Sequence, residues 1–176
     1  MSGKLCLFIA TSLDGFIAKK DGDIKFLDMV DRPGEDYGYL EFIKDVDSVI
    51  LGRKTYDKVT EMVGDQFNYE KRPVYVISHQ NKPSVRTISF HDNPVELVQK
   101  LKSEGQKVYC DGGSDLIYTL LQAGLVDEIT ISIIPHLLGD GIRLFQDGLG
   151  ENNLELVDSK SYPSGLVQVR YVVNKV

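Results

Sequence analysis

Two short segments carry the residue types that bind an anionic ligand. In the first, the apolar run Ser48–Leu51 enters Gly52-Arg53-Lys54-Thr55; in the second, Lys107–Cys110 enters Asp111 and then Gly112-Gly113-Ser114-Asp115. Each has the form of a strand that turns through glycine into a helix. The first amide N–H groups of a helix have no partner within it, and its dipole places partial positive charge there. Glycine lets a phosphate come close to such a backbone. The first segment adds two cations and a hydroxyl, the second two adjacent glycines and a hydroxyl. Paired turns of this kind suit a ligand with two phosphate groups some distance apart, such as a dinucleotide. Neither has the G-x-G-x-x-G or P-loop spacing, so the expectation rests on the pair.

Ser78-His79 follow a third apolar run, Val74–Ile77, at the kind of strand end where open α/β sheets meet ligands. Other chemistries find less support. Asp14, in Ser-Leu-Asp-Gly, reads as a turn former, and His136 after Pro135 as a structural histidine. There is no G-x-S-x-G elbow and no H-E-x-x-H. Tetrahedral zinc needs four converging ligands, and His79, His91 and His136 are scattered, so no metal site is expected. Cys6 and Cys110 sit inside apolar runs and read as small buried hydrophobes in a reducing compartment.

The elements that must position these residues alternate in type. Residues 4–10 form a nearly continuous apolar run, as a strand covered on both faces does. A turn at Asp14-Gly15, a short extended piece over 16–18 and a mostly irregular stretch over 19–34 follow. A helix is expected over 35–45, with Tyr37, Leu40 and Ile43 on one face, and another over 53–62 with Tyr56 and Val59 inward. Asn93-Pro94-Val95-Glu96 opens a helix that stops at Gly105, because it offers a cap, a proline at the first position and a capping-box glutamate. The next helix carries Leu116, Ile117, Leu120 and Leu121 as its stripe and stops at Gly124. Residues 129–133 alternate as a strand, and 153–162 with 166–174 form a hairpin around Pro163-Ser164-Gly165. The order is βαβαβ with an antiparallel end, which predicts a mixed sheet flanked by helices.

The chain has 176 residues, 42% apolar and 26% charged, an ordinary balance for one domain spanning 1–176. A formal charge of −6 argues against nonspecific nucleic-acid binding. No apolar run has the length of a membrane span, and residues 1–10 read as a strand rather than a signal peptide. A cytoplasmic protein with no nucleic-acid or membrane partner is expected.

The segment Val49-Ile50-Leu51-Gly52-Arg53-Lys54-Thr55-Tyr56 closely resembles the strand-plus-helix segment of dihydrofolate reductases. Residues 9–18 (Ile9-Ala10-Thr11-Ser12-Leu13-Asp14-Gly15-Phe16-Ile17-Ala18) look like the first strand and active-site loop of the reductase domain shared with riboflavin-pathway deaminase-reductases. Asp111-Gly112-Gly113-Ser114-Asp115-Leu116, Leu125-Val126-Asp127-Glu128, Ile134-Pro135 and Leu138-Gly139-Asp140-Gly141 with Leu144-Phe145 continue the likeness in the family's order. The resemblance implies a dihydrofolate reductase-like three-layer α/β fold. Its central, mostly parallel eight-stranded mixed sheet has helices on both faces and an antiparallel C-terminal edge. It implies NADPH as cofactor and a homodimer. By position, Ala10 and Ile17 would contact the nicotinamide, while Gly52, Arg53, Lys54 and Thr55 would bind phosphates. Ser78 and His79 would lie near the 2′-phosphate; Gly112, Gly113, Ser114, Asp115 and Leu116 would cradle the pyrophosphate, with a cis peptide between the two glycines.

A carboxylate that orients the substrate or relays a proton maps to Asp36, with Glu35 or Glu41 as alternatives. Phe26 and Leu40 would contact the substrate, and the loop 12–34 would close over it. The usual tryptophan of the active-site loop is absent, as are the riboflavin branch's Thr-Val-x-x-Asp motif and any preceding deaminase module. The likeness therefore lies nearer the folate side. The expected activity is hydride transfer from NADPH to a pterin- or folate-type heterocycle. The alternatives are a pyrimidine or other small carbonyl substrate, and a non-catalytic NADP-binding module.

Overall fold

The computed structural model describes residues 3–64, 69–80 and 87–174. An eight-stranded sheet forms its centre, in the order β5-β4-β3-β6-β1-β7-β10-β9. The strands are β1 (Lys4–Ser12), β3 (Ser48–Gly52), β4 (Val74–Ile77), β5 (Ile88–His91), β6 (Lys107–Gly112), β7 (Glu128–Ile134), β9 (Asn153–Ser161) and β10 (Val167–Asn174). The strands from β5 through β7 are parallel; β10 pairs antiparallel with β7 and with β9. A small second sheet joins β2 (Phe16–Ala18) to β8 (Ile142–Arg143). The helices are α1 (Tyr39–Lys44), α2 (Arg53–Val63), α3 (Pro94–Ser103) and α4 (Ser114–Gln122).

The apolar runs are continuous because alternate residues serve different cores. Within β3, Ile50 joins the cluster containing Val98, Leu101, Ile117 and Leu120 of α3 and α4, while Val49 and Leu51 join the opposite cluster with Ile43 and Val46. Within β6, Val108 and Cys110 face the first cluster and Tyr109 the second. Each fully buried aliphatic side chain contributes about 1.5–3 kcal/mol, so both faces of the sheet must be covered. The cysteines are buried, and burial pushes both thiols up to about 12. A third cluster gathers Phe26, Val30, Ile134, Tyr162 and Leu166.

Local signals act as expected in α3, where the Asn93 side chain accepts from Glu96 N at 3.1 Å, and in α4, whose four-residue apolar stripe is buried. Other elements differ from expectation. The helix foreseen over 35–45 is reduced to Tyr39–Lys44, because Tyr37 (φ 54) and Gly38 (φ 82) both take left-handed backbone just before it. The stretch 19–34 contains a 3-10 helix over Lys25–Val30. Strands β5 and β8 were not foreseen; at four and two residues they are too short to show a clear period. Helix α2 has no buried residue and rests Tyr56 edge-on against Phe90, 5.7 Å between ring centres. Among the described residues no helix is long and apolar enough to cross a membrane.

Candidate active site

Strands β3 and β6 are parallel neighbours, with Leu51 opposite Gly112, so both enter their helices at one edge of the sheet. Gly52 precedes α2 in extended backbone, and Gly113 precedes α4 in the same way. The Gly112–Gly113 peptide is cis, as the resemblance implied, and Gly112 sits at φ 110. A Cβ on Gly52 would lie 3.5 Å from Gly113 N, and a Cβ on Gly113 would lie 3.1 Å from Thr55 Oγ1. The two turns therefore touch. They form one cradle rather than two anion sites some distance apart. Side chains at these glycines would occupy the space beside the first amides of both helices, so the residues present fit a pyrophosphate.

The side chains around this cradle divide. Arg53 Nε pairs with Asp57 at 2.7 Å and Nη1 reaches Gln80 Oε1 at 3.4 Å, while Lys54 is exposed. Ser78 and exposed His79 end the adjacent strand β4, and Ser78 Oγ accepts from Gln80 N at 3.1 Å. Ser114 departs from expectation. Its buried hydroxyl donates to Arg143 O at 2.5 Å and accepts from Gln146 Nε2, so it holds the 143–146 segment and leaves only its amide for an anion. The Asp115 carboxylate likewise accepts from Gln146 Nε2 at 2.7 Å, and the Leu116 side chain lies in the core.

Beside the cradle is a cavity of about 450 Å³. Its floor is Phe8, Ile9 and Ala10 of β1 with Ser132 and Ile134 of β7. Ile9 also approaches the cradle: its Cδ1 lies 3.8 Å from the position of a Gly112 Cβ. Leu27, Val30 and Tyr37 wall the cavity, and Asp28, Asp31, Glu35 and Asp36 are also among its lining residues. Glu35 accepts from Tyr37 N at 2.9 Å; Asp36 accepts from Gly38 N at 3.1 Å and Leu40 N at 2.7 Å. Those amides, Leu40 first, hold the Asp36 carboxyl below its ordinary value. Asp36 is thus kept ionised, which suits orienting a substrate and not giving it a proton. Ser132 Oγ accepts from Gln168 Nε2 at 2.9 Å, and the same nitrogen donates to Tyr37 O. The orientation of the amide is thereby fixed, and the Ser132 O–H remains a donor.

The two expected substrate contacts are elsewhere. Phe26 is buried in the third core cluster, its ring stacked 6.1 Å from that of His136, and Leu27 lines the cavity instead. Leu40 is exposed on α1, outside the lining, because the helix begins later than its spacing suggested. Ile17 packs against the first core cluster and is also absent from the lining.

Two acids were undervalued by sequence reading. Asp111, the residue before Gly112, accepts hydrogen bonds from Tyr109 Oη at 2.5 Å and from Tyr69 Oη. Burial raises its carboxyl above the ordinary range, the two phenols opposing that shift. The only signal was an acid closing an apolar strand. Asp14 makes more than a turn. Ser12 Oγ donates to it at 2.6 Å, and Leu138 N and Gly139 N donate to it at 3.0 and 2.7 Å, which ties the loop after β1 to the one after β7. The Ser12 bond, then the amides, hold its carboxyl down to about 2.

A family model described as the RibD C-terminal domain matches residues 3–168. Two Bacillus subtilis proteins align over nearly the whole chain. YwjB is 36% identical, covering 98% of this chain and 99% of its own, and YyaP is 34% identical, covering 96% and 94%. A solved structure from Shewanella sp. PV-4, of a protein ascribed to riboflavin biosynthesis, superimposes with a TM-score of 0.87 at 28% identity, covering 99% of this chain and 100% of that one. The Thermotoga maritima diaminohydroxyphosphoribosylaminopyrimidine deaminase/5-amino-6-(5-phosphoribosylamino)uracil reductase shares the fold, with a TM-score of 0.74 at 16% identity; this chain covers 57% of it. The match falls on the riboflavin side, where the Gly52–Tyr56 segment had suggested the folate side.

Proposed function

The chain belongs to the RibD C-terminal domain family, and we propose that it is an NADPH-dependent reductase passing hydride to a small heterocycle in the cavity beside Ile9. The observation that carries this reading is the double role of Ile9. Ile9 belongs to the lining of the cavity, and its Cδ1 lies 3.8 Å from the position of a Gly112 Cβ, so coenzyme and substrate spaces would meet at this residue. Gly52, Gly112, Gly113 and the first amides of α2 and α4 would hold the pyrophosphate, with Arg53 and Lys54 adding positive charge. Ser78 and His79 would meet the 2′-phosphate. When bound, the reduced nicotinamide supplies the hydride.

The chain's own contribution is position and enclosure. Asp36, held ionised, would accept a hydrogen bond from a ring N–H or amino group, and the Ser132 O–H would donate to a ring carbonyl or nitrogen. The apolar floor and Leu27 would keep water from the reacting carbon. Family membership moves a pyrimidine ahead of the folate-type ring. Calorimetric titration with NADPH, followed by NADPH oxidation against a panel of aminopyrimidines and dihydropterins, tests the reading. Binding and turnover of one ring class are expected. Failure to bind NADPH overturns the proposal, and binding without turnover on the whole panel favours a non-catalytic nucleotide module.

A further inference from the structure

We infer that Gln168 is a positioning residue of the cavity: its carboxamide clamps the Ser132 hydroxyl of the floor to the turn that carries Asp36. The inference rests on the reductase reading and adds to that site a residue outside its lining. Ser132 and Ile134, two apart on β7, both line the cavity, so this face of the strand is its floor. Gln168 of β10 stands directly opposite Ser132 in the antiparallel ladder, on the same face. Its Nε2 carries two hydrogens, and both are engaged, one by Ser132 Oγ and one by Tyr37 O, each at 2.9 Å. The reversed amide would set Oε1 against the Tyr37 carbonyl, acceptor against acceptor, so a single orientation survives. Ser132 is 5% exposed, and its own proton meets no acceptor among the described residues. That proton is left for a molecule in the cavity.

The clamp reaches Asp36 through one peptide. The Tyr37 carbonyl and the Gly38 N–H belong to the same planar unit. Gln168 donates to its oxygen, and its N–H donates to Asp36 Oδ1 at 3.1 Å. Ser132, Gln168, the 37–38 peptide and Asp36 therefore form an unbroken chain of hydrogen bonds from the floor to the acid. A bond at the carbonyl also strengthens donation by the N–H of the same unit. Tyr37 itself takes left-handed backbone at φ 54, which a residue with a Cβ rarely adopts. It is gripped from several sides: its N–H donates to Glu35 at 2.9 Å, its phenol donates to Val30 O at 2.5 Å and lies 2.8 Å from Ser164 Oγ, and its ring meets Tyr162 edge-on. A conformation of this kind persists only where its surroundings over-determine it. Gln168 supplies the grip on the carbonyl, the end that sets the plane Asp36 reads.

Two measurements on the full chain test this. The first is NMR titration without ligand. Gln168→Met keeps the length of the side chain and removes the donor. The Gly38 amide proton should move upfield, and the Asp36 carboxyl should rise toward its ordinary value, although Leu40 N and the Lys160 charge still hold it down in part. The second is calorimetric titration of 5-aminouracil and 6-methylpterin, with and without NADPH. At least one probe should bind the wild-type chain. Gln168→Glu can only accept while ionised, so it claims the Ser132 proton; it and Ser132→Ala should each weaken that probe on the order of tenfold. The double variant should lose no more than about twice what the worse single variant loses, because both remove the same donor. A Gln168 that merely braces the C-terminal hairpin would leave Asp36 and Gly38 unmoved in Gln168→Met, and its losses would multiply with those of Ser132→Ala. Either result overturns the inference, as does a wild-type chain that binds neither probe. Failure to bind NADPH, with the Asp36 response intact and a probe bound, overturns the reductase reading alone.

Discussion

Where α2 and α4 begin, the cleft is walled by backbone: Gly52, Gly112 and Gly113 bring amides together and leave no room for a Cβ near Thr55. Beside Ile9, the cavity draws on apolar residues of β1 and β7 and on residues of the segment 27–37, four of them acidic. Under the proposed function, the first region would receive negative charge on fixed dipoles, which neither titrate nor rotate. The second would discriminate through groups drawn from β1, the 3-10 helix, the turn before α1, and β7. Backbone sites recognise what all nucleotides share, and side-chain sites can change without disturbing the sheet. On the proposed function, one coenzyme can be kept while the substrate varies.

The largest effect is expected at the seam between the regions. Asp111 lies in β6 at the glycine turn, and Asp111→Ala removes the acceptor that the Tyr69 and Tyr109 phenols share, leaving Tyr109 its weaker bond to Phe8 O at 3.2 Å. The cost should be about 3 kcal/mol of unfolding free energy, read by urea denaturation. Its pH dependence is a second signature. The raised folded value of Asp111 means the folded chain keeps a proton that the unfolded chain has lost. Stability should therefore fall as pH rises from the ordinary carboxylate value through that raised value, and Asp111→Ala should abolish this slope. Asp14 has the opposite sign: held down to about 2, it contributes stability that is lost as pH falls from 3.8 through that value. That acid-side loss should survive in Asp111→Ala. A variant that keeps the upper slope would show that Asp111 is not its source.

Gly113→Val should separate the regions functionally. The first added carbon already crowds Thr55 Oγ1, and the two methyls would fill the turn. NADPH affinity should drop on the order of a hundredfold, about 2.7 kcal/mol, while the neutral heterocycle probes bind as before. Parallel loss of both would mean that the turn shapes the cavity as well, and the division between regions would fail.

The two regions also differed in how much the sequence disclosed. Gly52-Arg53-Lys54-Thr55 and Gly112-Gly113 are contiguous, and their demand for glycine is local, so the strand-to-helix turns could be read directly. Their contact could not, because it depends on β3 and β6 being neighbours. The cavity draws on residues 8–10, 27–37, 132–134 and 166, and no local period joins these. Phe26 turns into the third core cluster, because the 3-10 helix has three residues per turn, which sets Leu27 with Val30 and Asp28 with Asp31 along the cavity. Leu40 shares a helical phase with Tyr37 in the sequence, which the left-handed backbone at Tyr37 and Gly38 interrupts. The role of Asp111 depends on Tyr69, 42 residues away, as well as on Tyr109 two residues before it, and only the fold brings the first of these to it.

The smallest expected effect concerns Arg53, whose guanidinium has a competing partner on its own helix. Its Nε is bound to Asp57 at 2.7 Å, an i,i+4 pair in which the carboxylate is half exposed. Such a pair is worth only about 0.3–0.5 kcal/mol, so a phosphate can draw the guanidinium from it. Arg53→Ala should weaken NADPH about tenfold and NADH much less; equal losses would remove Arg53 from the 2′-phosphate. Asp57→Asn should release the guanidinium and tighten NADPH about twofold, with a stability change of at most about 0.5 kcal/mol. In an Arg53→Ala background the same substitution should do nothing. A gain that persists there would mean that Asp57 repels the coenzyme directly and does not act by occupying Arg53.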